Sequence, residues 1–356
     1  MHYFIYPSKD SYITTEFQDK NFGSDEILEL RKIFSGSFST SAEAASRILI
    51  QFDYSDISSS IVDGTITNPR YYLRYYEVEG QSQLDKSYSL SSFPVSSSWE
   101  EGVGKHYDNP AVKNGVTWQS GSNAWSLVSN TNADSGSRTI GGGVWITGSG
   151  YEASQSFVDQ SGDIEMDVTD IVNKHLDNTI SNNGFILKYN DEEGDSQNLK
   201  FFSKNTHTIY APKLEVRWND ISFSTGSLNS LTMSGEVKNH IFIKGLQPKY
   251  RESEKVRFRI GCRKTYVQKT FTESARISSF YIPSGSGLYS IVDVSTNTSI
   301  VPFSAYTSMS CDSNSMYFDQ WLNTFEPGRY YKILFKLKYN DGQEIIYDND
   351  EEFKVI

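Results

Sequence analysis

Five histidines, His2, His106, His175, His207 and His240, are scattered along the 356 residues. None stands in an HExxH or HxH spacing, the patterns that bring two imidazoles onto one metal ion. The Gly-x-Ser-x-Gly elbow that presents a nucleophilic serine, the P-loop and the dinucleotide fingerprint do not occur. Gly141-Gly142-Gly143 runs into Val144-Trp145-Ile146, so it feeds a strand and not the helix N-terminus that a phosphate cradle needs. The paired carboxylates Glu100-Glu101 and Glu192-Glu193 would suit acid–base work, but neighbours on a strand point to opposite faces and would not act on one bond. The acidic loop Asp191-Glu192-Glu193-Gly194-Asp195 offers clustered oxygens of the kind Ca²⁺ takes, with Asp191, Glu193 and Asp195 as its ligands. A solvated hairpin turn is the favoured reading, because the loop lacks the full spacing of a calcium motif. The chain therefore reads as no enzyme, with no cofactor expected beyond that candidate Ca²⁺ loop.

Binding residues are better represented than catalytic ones. Trp99, Trp118, Trp125, Trp145 and Tyr151 lie in or beside polar loops. Trp99 and Trp118 are expected to plug the ends of a core, since large aromatics dominate such positions. Trp125, Trp145 and Tyr151 fall in a Gly-rich polar segment and are the candidate exposed contacts for a protein partner or a glycan. Between Lys238 and Arg276, Lys and Arg greatly outnumber Glu. Nucleic-acid binding is disfavoured, because the whole chain carries −11 and no aromatic platform interleaves the basic run. Lys255, Arg257 and Arg259 are instead expected to form a charged outer sheet face that docks on an acidic neighbour, such as the acidic part of another copy.

The elements that must carry these residues are strands. Tyr and Phe together number 44, as pleated surfaces favour. Short β-branched and aromatic runs alternate with Ser, Asn, Gly and Asp turns. In Glu254 to Ile260, Val256, Phe258 and Ile260 alternate with Lys255, Arg257 and Arg259, which predicts a strand with one buried face. In Tyr331 to Tyr339 the odd-numbered aromatics and aliphatics share a face opposite Lys332, Lys336 and Lys338. Asp341-Gly342 then predicts a type I′ hairpin that returns through Gln343 to Tyr347. One short helix is expected within Asp167 to Leu176, capped by Asp167 or Thr169.

The order of several motifs resembles the DNRLRE-type β-sandwich module, a family related to the family 96 carbohydrate-binding modules and found in secreted, cell-surface and phage proteins. The likeness rests on Asp10-Ser11-Tyr12-Ile13, Asn21-Phe22-Gly23, Leu28-Glu29-Leu30 and Arg47 to Asp53. It continues through Ser98-Trp99-Glu100-Glu101-Gly102, Gly115-Val116-Thr117-Trp118, Asp167-Val168-Thr169, Asn183 to Lys188, Phe201-Phe202-Ser203 and Pro212 to Val216. It covers about residues 1 to 218. The string that names the family is absent, and Thr131 to Gln155 is longer and richer in Gly than the family pattern. The resemblance implies a jelly-roll-like sandwich that holds things together or binds glycans. Glu326-Pro327-Gly328-Arg329-Tyr330 similarly resembles the corner before the penultimate strand of immunoglobulin-like sandwiches, where a Tyr hydroxyl bonds back to the loop backbone.

Charge supports a division. Residues 1 to 220 hold 17 Lys and Arg against 30 Asp and Glu, and residues 221 to 356 hold 16 against 14, so −13 is followed by +2. The expected organisation is a DNRLRE-like sandwich over 1–218, a linker over 219–236 and an Ig-like sandwich over 237–356, all-β throughout. No run of 18 apolar residues predicts a membrane span, and the opening residues lack the pattern of a secretory signal peptide. Cys262 and Cys311 have no metal-ligand spacing and are expected as reduced, buried thiols. A surface-type module built for a reducing compartment suggests a structural protein of a tailed-phage virion, made in the host cytoplasm. It would serve in capsid decoration, the neck or collar, or tail and fibre attachment, in multiple copies among other virion proteins. A glycan-binding adhesin that reads a host surface is the alternative.

Overall fold

The structure is a computed structural model that describes residues 1–32, 45–78, 87–121, 141–158, 162–192, 197–234, 238–266 and 280–356. The described chain is all-β with two short α-helices, neither long and apolar enough to cross a membrane. It divides into two units. The N-terminal unit comprises Phe4–Thr65 and Arg70–Val216; the C-terminal unit comprises Arg217–Ile356 with Met1–Tyr3 and Ile66–Pro69.

Among the described residues the elements run in order β1 (His2–Ile5), β2 (Pro7–Thr14), β3 (Ile27–Lys32), β4 (Ser46–Phe52), α1 (Ser55–Val62), β5 (Arg70–Tyr75), β6 (Ser87–Pro94), β7 (Ala153–Val158), β8 (Ile164–Asp167), α2 (Thr169–Leu176), β9 (Phe185–Tyr189), β10 (Gln197–Phe202) and β11 (Lys213–Arg217). An antiparallel sheet has the order β2-β4-β9-β6-β7, a second sheet the order β1-β11-β5-β8, and β3 pairs with β10. Strand β4 lies between β2 and β9, which explains its apolar character: Ile48, Leu49, Ile50 and Phe52 are all buried. Arg47 stands immediately before that run and is buried too.

Helix α2 lies where the spacing of Val168, Ile171 and Val172 places it, and it buries Ile171, Val172 and His175. Its N-cap position is Val168, whose side chain cannot accept a bond. Asp167 Oδ1 instead accepts from Thr169 N at 3.0 Å, and Thr169 Oγ1 accepts from Tyr71 N at 2.9 Å. The two polar residues thus turn the chain into the helix and tie it to β5. Helix α1 has no counterpart in the sequence reading. Its Ser-rich stretch has modest helix propensity and buries only Ile57.

The C-terminal unit continues with β12 (Asn229–Ser230), β13 (Asn239–Lys244), β14 (Lys249–Tyr250), β15 (Lys255–Lys264), β16 (Phe280–Tyr281), β17 (Gly287–Asp293), β18 (Ser299–Val301), β19 (Ser310–Cys311), β20 (Met316–Trp321), β21 (Tyr330–Lys338), β22 (Glu344–Tyr347) and β23 (Glu352–Val355). One sheet has the order β13-β15-β20-β19; the other has β14-β23-β21-β17-β18, with β22 also on β21. Their facing side chains meet: Tyr289 stacks on Phe318 with centroids 3.9 Å apart, and Phe258 lies 5.4 Å from Phe353.

Three local expectations are refined. Residues 219–234 do not form a plain linker: β12 pairs with β16, Ser222 O accepts from Cys311 N, and Leu231 and Met233 are buried. The Ser and Thr content of this stretch suggested a tether, but its few apolar residues anchor it. At the Glu326-Pro327-Gly328 corner it is Tyr331, buried, that donates its hydroxyl proton to Glu326 O at 3.0 Å, while Tyr330 is 48% exposed. The β21–β22 hairpin forms, but not through a type I′ turn. Gly342 alone has positive φ, its N–H bonds Tyr339 O, and Tyr339 N bonds Gln343 O. This is the three-residue hairpin with a glycine bulge, which needs only one left-handed position.

Candidate contact surfaces

Three motifs far apart in the sequence converge on the Asn21 side chain. Its Nδ2 donates to Glu101 O at 2.7 Å and Val116 O at 2.8 Å, while Oδ1 accepts from Gly104 N at 2.8 Å and Gly23 N at 3.1 Å. All the bonding capacity of the amide is used. The glycines follow from the same geometry. A Cβ at Gly23 would overlap the Glu101 carbonyl, one at Gly102 would overlap Asn114 O and the Asn21 amide, and one at Gly115 would overlap Gly102. Asn21-Phe22-Gly23, Trp99 to Gly102 and Gly115 to Trp118 are therefore one knot of backbone.

Beside the knot stands an aromatic ridge. Tyr12 stacks on Phe22 at 4.3 Å, His106 packs near Phe22 and Phe17, and Tyr107 meets the His106 edge at 5.0 Å. The Tyr12 hydroxyl bonds His106 Nδ1 at 3.2 Å. Asp25 accepts from His106 N through both carboxylate oxygens, and burial holds its carboxyl above the usual range. Lys20 Nζ donates to His106 O and Asp108 O and lies over the Phe17 and Phe22 rings. The ridge ends in Phe17 and in Tyr107, which is 93% exposed. Neither residue stood out in the sequence. The signal was a pair of adjacent rings, His106-Tyr107, in an otherwise polar loop.

A second cluster surrounds Arg47. Its Nε and NH2 donate to the two oxygens of Glu192, each at 2.7 Å, and NH1 donates to Gly142 O at 2.6 Å. The guanidinium lies 4.9 Å from the Trp118 ring and 5.0 Å from the Trp145 ring, a cation held between two indoles. Both partners of the ion pair are 3% exposed. Gly142 has φ +87°, and a Cβ there would strike Arg47 and the Trp118 ring. Gly142 thus lets backbone approach a buried charge.

This cluster revises two expectations. Trp145 is not an exposed contact: it is 5% exposed within a core that also holds Trp99 and Trp118, because Val95 bridges Trp145 in a short strand extension that turns the ring inward. The acidic loop is not uniformly solvated either, since Glu192 turns onto Arg47 while Asp191 is exposed. Glu193, Asp195 and Trp125 lie outside the described residues. Among the described residues no three His, Cys, Asp or Glu side chains converge as metal ligands. Tyr151 is half-buried, with Lys174 Nζ 4.7 Å from its ring.

In the C-terminal unit the outward side chains of β15 are Lys255, Arg257, Arg259 and Arg263. Register sets them opposite Trp321, Asp319 and Tyr317 on β20, and opposite His240 and Lys244 on β13. Arg257 forks onto Asp319 at 2.8 and 2.9 Å and lies 4.1 Å from the Tyr317 ring. Arg259 pairs with Asp312 at 3.0 Å, and Lys255 lies 4.9 Å from Trp321. Aromatics do interleave this basic face; the linear sequence hid them because they belong to neighbouring strands. Cys262 and Cys311 point inward from the same sheet as free, buried thiols, and burial pushes the Cys262 thiol up to about 12. No protein-family model matches the sequence, and no curated protein matches it.

Proposed function

We propose that this chain is a non-enzymatic structural protein that works through protein–protein contacts, as a component of a tailed-phage virion. The observation that carries the reading is the sealed Arg47–Glu192 pair. This buried pair, with Lys188 3.7 Å from Glu192, is enclosed by Trp118, Trp145 and the Gly142 carbonyl, and so braces loops instead of meeting a reactant. Asn21 is spent in the same way. Rigid end loops on a sheet scaffold are what a bridging or attachment module needs, because contact surfaces then cost little ordering entropy on assembly. The layering of facing sheets in the C-terminal unit, with its tyrosine corner at Tyr331, supports an Ig-like sandwich. The motifs gathered around Asn21 support the DNRLRE-like reading of the N-terminal unit. Two reduced thiols fit folding in a host cytoplasm. Mass spectrometry of purified particles tests the proposal: a fixed, symmetric copy number is expected, and absence from the particle would overturn it.

The Phe17–His106–Tyr107 ridge favours a second reading, a glycan-binding adhesin, since exposed rings stack on sugar C–H faces. A glycan array should then give hits that Tyr107→Ala removes while the protein stays folded.

A further inference from the structure

We infer that the basic outer face of the β13-β15-β20-β19 sheet docks head-to-tail on the acidic helical end of the N-terminal unit of a second copy. The inference rests on the structural-protein reading and names the contact that would build its assembly. On the basic side, Lys244, Lys255, Arg257, Arg259 and Arg263 share one face with the carboxylate of Asp319, and Asp312 adds a second from the turn after β19. The face keeps a positive excess after its internal pairs are formed. It is also set in place: the Arg257 and Arg259 guanidiniums lie over Tyr317, and Lys255 lies over Trp321.

The acidic side is equally defined. From Asp53 to Thr65 the sequence has three aspartates, Asp53, Asp56 and Asp63, and no Lys or Arg. All three are exposed around α1. The end of α2 adjoins this stretch, for Tyr54 stacks on His175 and bonds its Nδ1 at 3.2 Å. Helix α2 and its C-cap add exposed Asp170 and Asp177, while its Lys174 is engaged by the Gly150 carbonyl. Val62, the last residue of α1, adds an 88% exposed apolar side chain beside Asp63.

Charge complementarity is what selects a second copy as occupant. A nucleic acid would meet a chain of net charge −11. On the sheet itself the rings are covered, because Tyr317 lies beneath two guanidiniums and Phe242 lies over Gly261 and stacks on His240; the exposed Tyr266 lies beyond the end of β15. A contact between two different surfaces is heterologous, so it propagates to a ring or a filament and does not stop at a dimer.

Sedimentation velocity on the full chain tests this. Association that grows with concentration is expected at low salt and lost in ~1 M NaCl, where screening acts over about 3 Å. Lys255→Glu with Arg263→Glu, or Asp56→Lys with Asp170→Lys, should each weaken it at least tenfold, and placing all four in one chain should restore it. The milder pair Lys255→Gln with Arg263→Gln, checked for an unchanged melt by circular dichroism, covers the case in which reversal impairs folding. The inference is overturned by a wild-type chain that stays monomeric at low salt, by association that both reversals leave intact, or by a face that retains a single-stranded oligonucleotide without self-association. Particle mass spectrometry can fail independently of all three, so loss of the virion reading and loss of this contact are separate results.

Discussion

The two units solve the same problem by opposite means. The N-terminal unit fixes its long loops with polar groups taken out of water: Arg47 on Glu192 between two indoles, and Asn21 bonded to three segments of backbone. The C-terminal unit keeps several ion pairs at the surface, as with Arg257–Asp319, Lys332–Asp348 and Lys336–Glu344, alongside the buried Asp293 that meets Arg329, and fills its interior with stacked rings. A buried pair is costly to break because one partner is left charged in a poor solvent. An exposed pair is cheap, since water replaces the lost partner. The lesson is that the same chemical pairing specifies loop geometry in one unit and tunes surface charge in the other.

The largest expected effect comes from breaking the buried pair. Arg47→Ala removes both short hydrogen bonds to the buried Glu192 carboxylate, with Lys188 Nζ still 3.7 Å away, and should cost about 3 kcal/mol in urea unfolding. Trp145→Ala opens a cavity beside the same guanidinium and should cost a similar ~3 to 5 kcal/mol; an unchanged melt would return Trp145 to the surface.

Next comes a pH effect inside the N-terminal unit. Burial lowers His175 from 6.5 to about 4, so its contribution to stability is complete above 6.5 and is lost as the pH falls towards 4. Burial raises Asp10 from 3.8 to about 7, with Lys204 N bonded to Oδ2, so its contribution is complete below 3.8 and is lost as the pH rises through 7. The two offset each other between pH 4 and 7. Asp10→Asn should unmask the histidine and lower stability by about 2 to 3 kcal/mol between pH 7 and pH 4 relative to Asp10→Asn/His175→Gln. Parallel profiles for the two variants would refute the assignment.

The C-terminal unit supplies the small effects. Tyr331→Phe removes the corner bond to Glu326 O and should cost about 1 kcal/mol, with Tyr330→Phe as the silent control. Arg257→Ala should cost under about 1 kcal/mol in stability, because Asp319 returns to water. A cost near that of Arg47→Ala would dissolve the contrast between the units.

Much of this architecture was legible in the residues. The alternation in β15 and β21, the α2 spacing and the charge change near residue 220 depend on local order, and local order is what strand and helix periods record. The long-range partners were not legible. Trp145 looks like a loop aromatic until Val95 pairs with it, and Glu192 looks like a solvated turn until Arg47, 145 residues earlier, reaches it.

The sequence by itself determined an all-β chain of two electrostatically different parts, because side-chain period and charge are properties of neighbours along the backbone. Only the tertiary structure decided which polar residues are buried and which rings stand in water. Burial depends on strand register and loop closure, and these bring together residues whose separation in the chain carries no mark of their meeting.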